Sequence, residues 1–334
     1  MYKMIFFNSM ILGTIITISS YSWLSMWMGL EINLLSIIPL LLEGKNMMSS
    51  ESSMKYFITQ ALASLILLMS VLMLLLTEEF ISPLMNFYFS MMLNSAIMTK
   101  LGAAPFHFWL PEVVEGLNWM NTLIILTWQK IAPMMILMNM KINTMFISFT
   151  ILSSLIISTI SGFNQTSLRK IMAFSSINHI AWMLSSLFIS FTVWLIYFLV
   201  YTIININITL MFNQTMTFYI NQINNFMNNS KLIKLSIMSN FLSLGGLPPF
   251  IGFLPKWMII NWMTSSNLIF MTLILIITTL IMLSIYMRVL MSTLILSTQE
   301  PKNLNIKINS KTFLIMNMIS LMSIIFCSLI ISNL

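Results

Sequence analysis

The sequence predicts an all-α, polytopic membrane protein of about eleven transmembrane helices, and three observations support this fold class. Of 334 residues, 58% are hydrophobic and 7% are charged, whereas ordinary soluble domains contain about 25% charged residues. The apolar residues form successive runs of about 20 residues, the length that crosses a bilayer as an α-helix. Two of these runs contain matching interruptions rich in glycine and proline, which indicate an internal repeat.

The predicted helices follow one another with short polar connections, and no segment has the composition of a soluble domain. We therefore expect one transmembrane domain over residues 1–334, which ends in a polar loop and a C-terminal helix within residues 298–334. Windows of about 19 residues place the spans at 4–20, 23–42, 56–76, 84–102, 119–138, 142–161, 168–190, 191–211, 235–263, 268–296 and 313–331.

Charges in the connecting loops predict the orientation of the chain. With eleven spans, the two termini lie on opposite sides of the membrane. The side that holds the C-terminus carries Lys141, Glu78 and Glu79. The side that holds the N-terminus carries ten basic residues, as the positive-inside rule requires of the inner side. The net charge of +7 thus belongs to loops that face phospholipid head groups, and it does not indicate nucleic-acid binding. The ten residues are Lys3, Lys45, Lys55, Arg169, Lys170, Lys231, Lys234, Lys302, Lys307 and Lys311.

The two interruptions share one pattern, G-x-x-P-F-x-x-aromatic-L-P, at residues 102–111 and 246–255. Proline removes a backbone donor and glycine weakens a helix, so each span is expected to be two half-helices around an unwound segment, with unwinding near Pro105 and Pro249. Backbone exposed at membrane depth is tolerated where it is buried in protein or lines a water-filled cavity.

The interrupted spans are the fourth and the ninth, which stand five apart. An odd offset reverses the orientation of a helix, so spans one to five and six to ten form a candidate inverted repeat with halves at about 1–140 and 141–297. Such repeats place a transport pathway at their interface. The alternative is that two kinks rich in glycine and proline resemble each other by chance.

Four ionisable residues fall inside apolar spans: Glu31, Lys100, Lys130 and Lys256. Each costs about 2.5–3.5 kcal/mol at the centre of a helix on insertion scales. Snorkelling to the interface and inert buried ion pairs are the structural explanations. The functional explanation is a proton pathway, because burial disfavours the charged form of either residue type and so favours proton exchange.

His107 and His179 are the two histidines of the chain, and Cys327 is its one cysteine. His107 is expected to join the polar lining of the first interruption, and His179 to be either a relay member or a satisfied polar residue between helices. The histidine pair could in principle ligate one haem, but no other haem signature accompanies it. One cysteine cannot hold an iron–sulfur cluster, and no nucleotide-binding loop is present. We therefore expect no cofactor and no metal in this chain.

Residue usage suggests where the gene is translated. The chain has 35 Met, 2 Arg, 13 Lys and no Asp, which is typical of an AT-rich gene in which an additional AT-only codon is read as Met, as in many animal mitochondria. In a mitochondrion the positive side of the inner membrane is the matrix. We therefore expect the N-terminus in the matrix and the C-terminus in the intermembrane space.

Five stretches of the sequence resemble one known family, and the resemblance is clear over residues 23–256. In this region the sequence resembles the mitochondrially encoded, antiporter-like subunits of respiratory complex I, NADH:ubiquinone oxidoreductase, in an insect-like form. Beyond residue 256 the resemblance rests on hydropathy alone. The stretches lie at 27–33, 100–112, 127–130, 164–170 and 245–256.

The resemblance implies a proton channel driven by redox chemistry elsewhere in the complex. It implies a glutamate at Glu31 and a pump lysine at Lys100 that form a gate, a connecting lysine at Lys130, and a lysine on the second broken helix at Lys256. NAD, FMN, iron–sulfur clusters and ubiquinone are expected in other subunits, and the expected partners are membrane-arm and accessory subunits and phospholipid, cardiolipin included. The alternatives are a stand-alone cation/proton antiporter and a structural scaffold with an inactive channel.

Overall fold

The computed structural model describes residues 2–43, 46–80, 83–140, 143–227, 231–248 and 250–295. The regular secondary structure of this part of the chain is helical, with one isolated antiparallel bridge between Ser167 and Tyr219. One 3-10 turn, Trp128–Lys130, lies between α6 and α7. The helices are α1 Tyr2–Ser19, α2 Trp23–Leu41, α3 Met47–Phe80, α4 Pro83–Leu101, α5 Trp109–Gly116, α6 Trp119–Leu126, α7 Ile131–Asn139, α8 Thr144–Phe163, α9 Leu168–Ser186, α10 Phe191–Thr215, α11 Ile220–Met227, α12 Lys231–Gly245, α13 Phe253–Ser265 and α14 Ile269–Ile295.

The chain divides into two compact units, Met1–Ser153 and Ser154–Leu334. The inverted-repeat halves at 1–140 and 141–297 stay a prediction. Several features of the sequence analysis lie outside the described residues, namely Lys45, Lys141, Pro249, Cys327, the eleventh span and the loop that precedes it.

Seven helices in the described ranges are long and apolar enough to cross a membrane. They correspond to seven of the predicted spans, while the spans at 84–102, 168–190 and 235–263 fall outside this group. The physical reason is clearest for α9, which is buried along nearly its whole length and carries serine, asparagine and histidine. A helix surrounded by protein needs no apolar surface toward lipid, so its hydropathy is low. The count of eleven spans stays a prediction.

The two glycine- and proline-rich motifs end their helices in the same way. Helix α4 ends at Leu101 and is followed by Gly102 with φ +75°, and α12 ends at Gly245 and is followed by Gly246 with φ +75°. This left-handed conformation strains any residue with a Cβ atom, which explains glycine at both positions. The shared sequence pattern therefore corresponds to a shared backbone conformation.

Backbone hydrogen bonds at the two breaks also match, residue for residue. After the first helix end, the N–H groups of residues 102, 103, 106 and 110 donate to the carbonyls of residues 98, 98, 103 and 107. After the second end, the N–H groups of residues 246, 247, 250 and 254 donate to the carbonyls of residues 242, 242, 247 and 251. Each break thus closes with the same series of turns before α5 or α13 begins.

The structure has a third break, which the sequence analysis did not predict. It interrupts the fifth predicted span between α6 and α7, at the 3-10 turn Trp128–Lys130. Pro133 has no N–H to donate to the carbonyl of Gln129, so a continuous α-helix would lose a hydrogen bond at this point. Short 3-10 segments inside helices often mark functional hinges.

Helices α1 and α2 pack closely because small residues meet where they cross. A Cβ atom on Gly13 would lie 2.9 Å from the backbone nitrogen of Asn33. A Cβ atom on Gly29 would lie 2.9 Å from the carbonyl oxygen of Gly13. Small residues at such crossings allow helix backbones to approach in membranes, and here the approach fixes the position of Asn33.

We expect Gly13→Val to destabilise the protein by about 1–3 kcal/mol, because the added atoms must displace the backbone of α2. The measurement is the thermal unfolding midpoint in detergent, which should fall. The control is Ile15→Val, at an exposed position on the same helix. Equal midpoints for the two variants would contradict the close packing.

Candidate functional site

A small polar cavity lies inside the first unit, with room for about one water molecule. Four sequence segments supply its walls: α2, α3, the end of α4, and the third break with the start of α7. Most of these segments place one polar side chain in the cavity, among apolar neighbours. The lining residues are Leu30, Asn33, Leu34, Tyr56, Gln60, Lys100, Gln129 and Pro133.

Lys100 is the charged residue of this cavity, and 7% of its surface is exposed. It lies in the last turn of α4, where the negative end of the helix dipole favours a cation. Glu31 and Lys100 form no ion pair within 4.0 Å among the residues that the structure describes. The gate that the resemblance implies for these two residues therefore stays a prediction.

An amide pair forms another wall of the cavity. Asn33 Nδ2 donates to Gln129 Oε1 over 3.0 Å, and Gln129 Nε2 donates to Asn33 Oδ1 over 2.9 Å. The hydroxyl of Tyr56 donates to the same Gln129 oxygen over 3.4 Å. This pair joins α2 to the third break.

Sequence reasoning missed Asn33, Tyr56, Gln60 and Gln129 as site residues. Their signals are nevertheless present in the sequence. Asn33 and Gln129 lie next to buried charges inside apolar spans, and Tyr56 and Gln60 stand four apart on one face of α3. A polar residue at such a position needs a hydrogen-bond partner.

Lys130 lies in the 3-10 turn, and 2% of its surface is exposed. The backbone N–H of Lys130 donates to the carbonyl of Thr127 over 3.2 Å, and the hydroxyl of Thr127 donates to the carbonyl of Leu123 over 2.7 Å. The turn therefore gives Lys130 a buried position beside the amide pair, since Gln129 is the preceding residue.

Lys256 lies in the second unit, on the half-helix that follows the second break, and 6% of its surface is exposed. Its ammonium donates to the carbonyls of Leu244 and Gly245 over 3.1 and 3.0 Å. These carbonyls belong to the last turn of α12, which has no intrahelical donor for them. The ammonium also lies 5.8 Å from the ring centre of Trp182. Lys256 thus caps the end of α12.

The first break is capped by a different side chain. The position that matches Lys256 in the first motif holds Glu112, which forms an ion pair of 2.9 Å with Lys55 at an exposed site. The carbonyl of Thr99 near the end of α4 accepts instead from the indole N–H of Trp109, over 2.9 Å. The two breaks share a backbone conformation, but the buried lysine precedes the turn in the first break and follows it in the second.

The histidines occupy separate positions. His107 lies in the first break, is buried, and its Nδ1 is 3.3 Å from the carbonyl oxygen of Pro105. His179 lies in α9, is buried, and its Nδ1 is 2.8 Å from the hydroxyl of Tyr197. Its ring centre is 5.0 Å from that of Tyr201. His107 and Lys100 share the first unit, whereas His179 and Lys256 share the second.

The arrangement suits proton transfer more than chemistry on a bound cofactor. Buried lysines can gain and lose a proton, and amides, hydroxyls and water can order the path between them. Within the part of the chain that the structure describes, no group of three or more His, Cys, Asp or Glu side chains is placed to hold a metal ion.

Comparison with known proteins identifies the relatives of the chain. Residues 20–284 match the family described as NADH:quinone oxidoreductase/Mrp antiporter, TM. The chain is 48% identical to NADH-ubiquinone oxidoreductase chain 2 of Anopheles gambiae over 332 residues, which cover 98% of this chain and 97% of that protein. It is 50% identical to the protein of the same name from Aedes aegypti, over 98% and 97% of the two chains. Against the Bos taurus protein the identity is 40%, over 90% and 87%.

Solved structures share the fold at low sequence identity. A chain of respiratory complex I from Thermus thermophilus matches with a TM-score of 0.87 and 18% identity, over 98% of this chain and 78% of that one. A chain of the Mrp complex from Dietzia sp. matches with a TM-score of 0.78 and 15% identity, over 90% and 61%.

We expect Lys256→Met to destabilise the protein, because two buried carbonyls lose their donor at about 1–3 kcal/mol for each unsatisfied group. Lys256→Gln should destabilise it less, since the amide retains N–H donors without a charge. The measurement is the thermal unfolding midpoint, with Lys3→Met at an exposed site as the control. A Met variant as stable as the control would show that the cap contributes nothing.

Proposed function

Because the chain belongs to the NADH:quinone oxidoreductase/Mrp antiporter family, we propose that its buried lysines conduct protons through the membrane. The chain is a proton-translocating, membrane-arm subunit of NADH-ubiquinone oxidoreductase. NADH oxidation and ubiquinone reduction take place in other subunits, which are therefore its partners. In this role the chain couples redox energy to proton movement and carries no redox chemistry of its own.

The proposed pathway begins at Glu31 and Lys100. When Glu31 is close, its negative charge stabilises the ammonium form of Lys100. When a conformational change separates them, the ammonium is left in a low-dielectric environment and releases its proton toward Lys130. Lys256 connects the path to the exit or to the next subunit. His107, in the first unit, and His179, in the second, are secondary candidates.

The observation that carries this proposal is the polar cavity at Lys100. An inert charge would lie in dry, apolar surroundings, whereas a proton pathway requires polar side chains or water beside Lys100. Lys100 lines a polar space that has room for about one water molecule. A lysine in this setting can change its protonation state.

The finer topology is part of the proposal. We place eleven helices in the mitochondrial inner membrane, with the N-terminus in the matrix and the C-terminus in the intermembrane space. The inverted repeat of five helices is supported by the matching backbone of the two breaks. Transport of protons from the matrix to the intermembrane space follows from the role of the complex. Phospholipid, cardiolipin included, is the expected partner at the lipid-facing surface.

Protease protection on sealed inner-membrane vesicles tests the orientation. The loop region between α10 and α12, which includes the short helix α11, should be cut from the matrix side and protected from the intermembrane side, because Lys231 and Lys234 beside it belong to the predicted positive side. The control is cleavage of a matrix-side subunit of the same complex. Cutting of this loop from the intermembrane side would contradict the orientation.

Lysine variants in the assembled complex test the role of Lys100. Lys100→Met should lower the number of protons pumped per NADH oxidised, since the carrier is lost. Lys100→Arg should lower it as well, because arginine keeps the charge but does not release its proton. The measurement is redox-driven acidification in proteoliposomes, normalised to NADH oxidation. The exposed Lys3→Met is the control.

A purely structural charge at this position predicts a different pattern. Arginine would then restore the pumping ratio that methionine lowers. Full pumping in the arginine variant would therefore refute the carrier role, and full pumping in both variants would leave Lys100 without a role in transport.

A further inference from the structure

We infer that the reciprocal Asn33–Gln129 amide pair is a lock between Lys100 and Lys130, so that a proton passes between the two lysines only while the pair is open. The inference rests on the proposed function, because it assigns a gate to the same pathway. Its basis is the geometry of the cavity wall.

The amide pair lies in the wall of the cavity that contains Lys100. Asn33 and Gln129 both line the cavity that contains Lys100. Gln129 also belongs to the 3-10 turn of Lys130, whose side chain is not among the cavity-lining groups in the described part of the chain. The amide pair therefore forms the wall on the side of the turn that carries Lys130.

The chemistry of the amides prevents them from carrying a proton themselves. A carboxamide neither gains nor loses a proton near neutral pH, because its nitrogen only donates and its oxygen only accepts. In the closed pair each amide donates to the other, over 3.0 and 2.9 Å. A hydrogen-bonded chain for protons needs groups that can donate and accept in turn, as water does. The closed pair therefore interrupts such a chain.

Gln60 supplies a buried polar group that suits a water molecule in the cavity. It lines the same space, and its Nε2 has no hydrogen-bond partner among the residues that the structure describes. A buried donor of this kind is ordinarily satisfied by water. The side of the cavity that holds Lys100 thus suits a water molecule, while the amide pair closes the other side.

The pair connects two elements, α2 and the 3-10 turn, and their relative movement opens it. Asn33 is two residues from Glu31 on α2, and Gln129 precedes Lys130, so movement of α2 relative to the turn must break or form the two hydrogen bonds. The 3-10 turn is the weaker of the two elements, since Pro133 deprives it of a helical hydrogen bond. A Cβ atom on Gly13 would lie 2.9 Å from the backbone nitrogen of Asn33, so α1 packs directly against α2 at this residue.

The transfer step balances without any further reactant. With the pair open, an N–H bond of the Lys100 ammonium breaks as an O–H bond forms on a water molecule. Another O–H bond of that water breaks as an N–H bond forms on the neutral amine of Lys130. One proton has moved, Lys100 is neutral, and Lys130 is charged. Closure of the pair then prevents the return.

Variants of the pair in the assembled complex test the lock. Asn33→Leu and Gln129→Met each leave one amide without its partner, and both should lower the protons pumped per NADH oxidised while NADH oxidation per assembled complex continues. The swapped double variant, Asn33→Gln with Gln129→Asn, keeps both amides and should restore the ratio. Asn261→Leu, at an exposed amide on α13, is the matched control and should leave the ratio unchanged.

The ratio separates a lock from a structural role. Poor packing would reduce the amount of complex and would lower oxidation and pumping together, which leaves protons per NADH constant. A constant ratio in both single variants, together with a lowered ratio in Lys100→Met, would overturn the lock and leave the proposed function intact. A constant ratio in Lys100→Met as well would overturn both.

Tyr56→Phe decides the matter if the single variants do not assemble. It removes only the hydroxyl that donates to Gln129 Oε1, and it keeps the ring that packs edge-on against Trp109 at 5.7 Å between centroids. Loss of this donor weakens the paired orientation of Gln129, so the ratio should fall, though less than in the single amide variants. An unchanged ratio would overturn the lock.

Discussion

The structure depends on one physical constraint, which is that an ammonium group in hydrocarbon must find oxygen atoms to replace its hydration. An isolated charge at the centre of the bilayer costs several kcal/mol, and an intact helix offers it nothing, because every backbone carbonyl is already bonded within the helix. Lys256 meets the constraint by donating to two carbonyls at the end of α12. Lys100 meets it differently, in a polar cavity at the end of α4.

Helix breaks supply what the lysines need. Lys100, Lys130 and Lys256 are the buried lysines among the residues whose burial the structure describes, and all three lie at a break. Lys100 comes in the last turn before the first break, Lys130 lies within the third, and Lys256 follows the second by one turn. A helix end presents free carbonyls and the negative end of the dipole. A helix break therefore offers a buried lysine oxygen acceptors that an intact helix does not.

The sequence predicts a helix break where glycine and proline recur in a shared pattern. Gly102 and Gly246 stand in a repeated pattern, and the structure gives both the left-handed conformation that the pattern requires. The break at Lys130 has a single proline as its signal, and one proline inside an apolar span is also compatible with a simple kink. The amide pair was beyond prediction, because Asn33 and Gln129 are 96 residues apart, and one sequence does not reveal which buried polar residues meet. The sequence predicts the span at 168–190, and α9 occupies most of it, but its burial among other helices did not follow from its composition.

The two matched breaks show that one backbone can serve two electrostatic tasks. Residues 100 and 112 of the first motif correspond to residues 244 and 256 of the second, where lysine and glutamate are replaced by leucine and lysine. In the first break the cation precedes the turn and the helix end is capped by a neutral indole, so the ammonium of Lys100 is left to the cavity. In the second break the cation follows the turn and is itself the cap, so its proton is held by two carbonyls. Lys256 thus satisfies its ammonium through two backbone carbonyls, whereas Lys100 depends on the polar side chains of a cavity with room for about one water molecule. Because the backbone of the two breaks is the same, the place of the cation before or after the turn decides which of these two means is used.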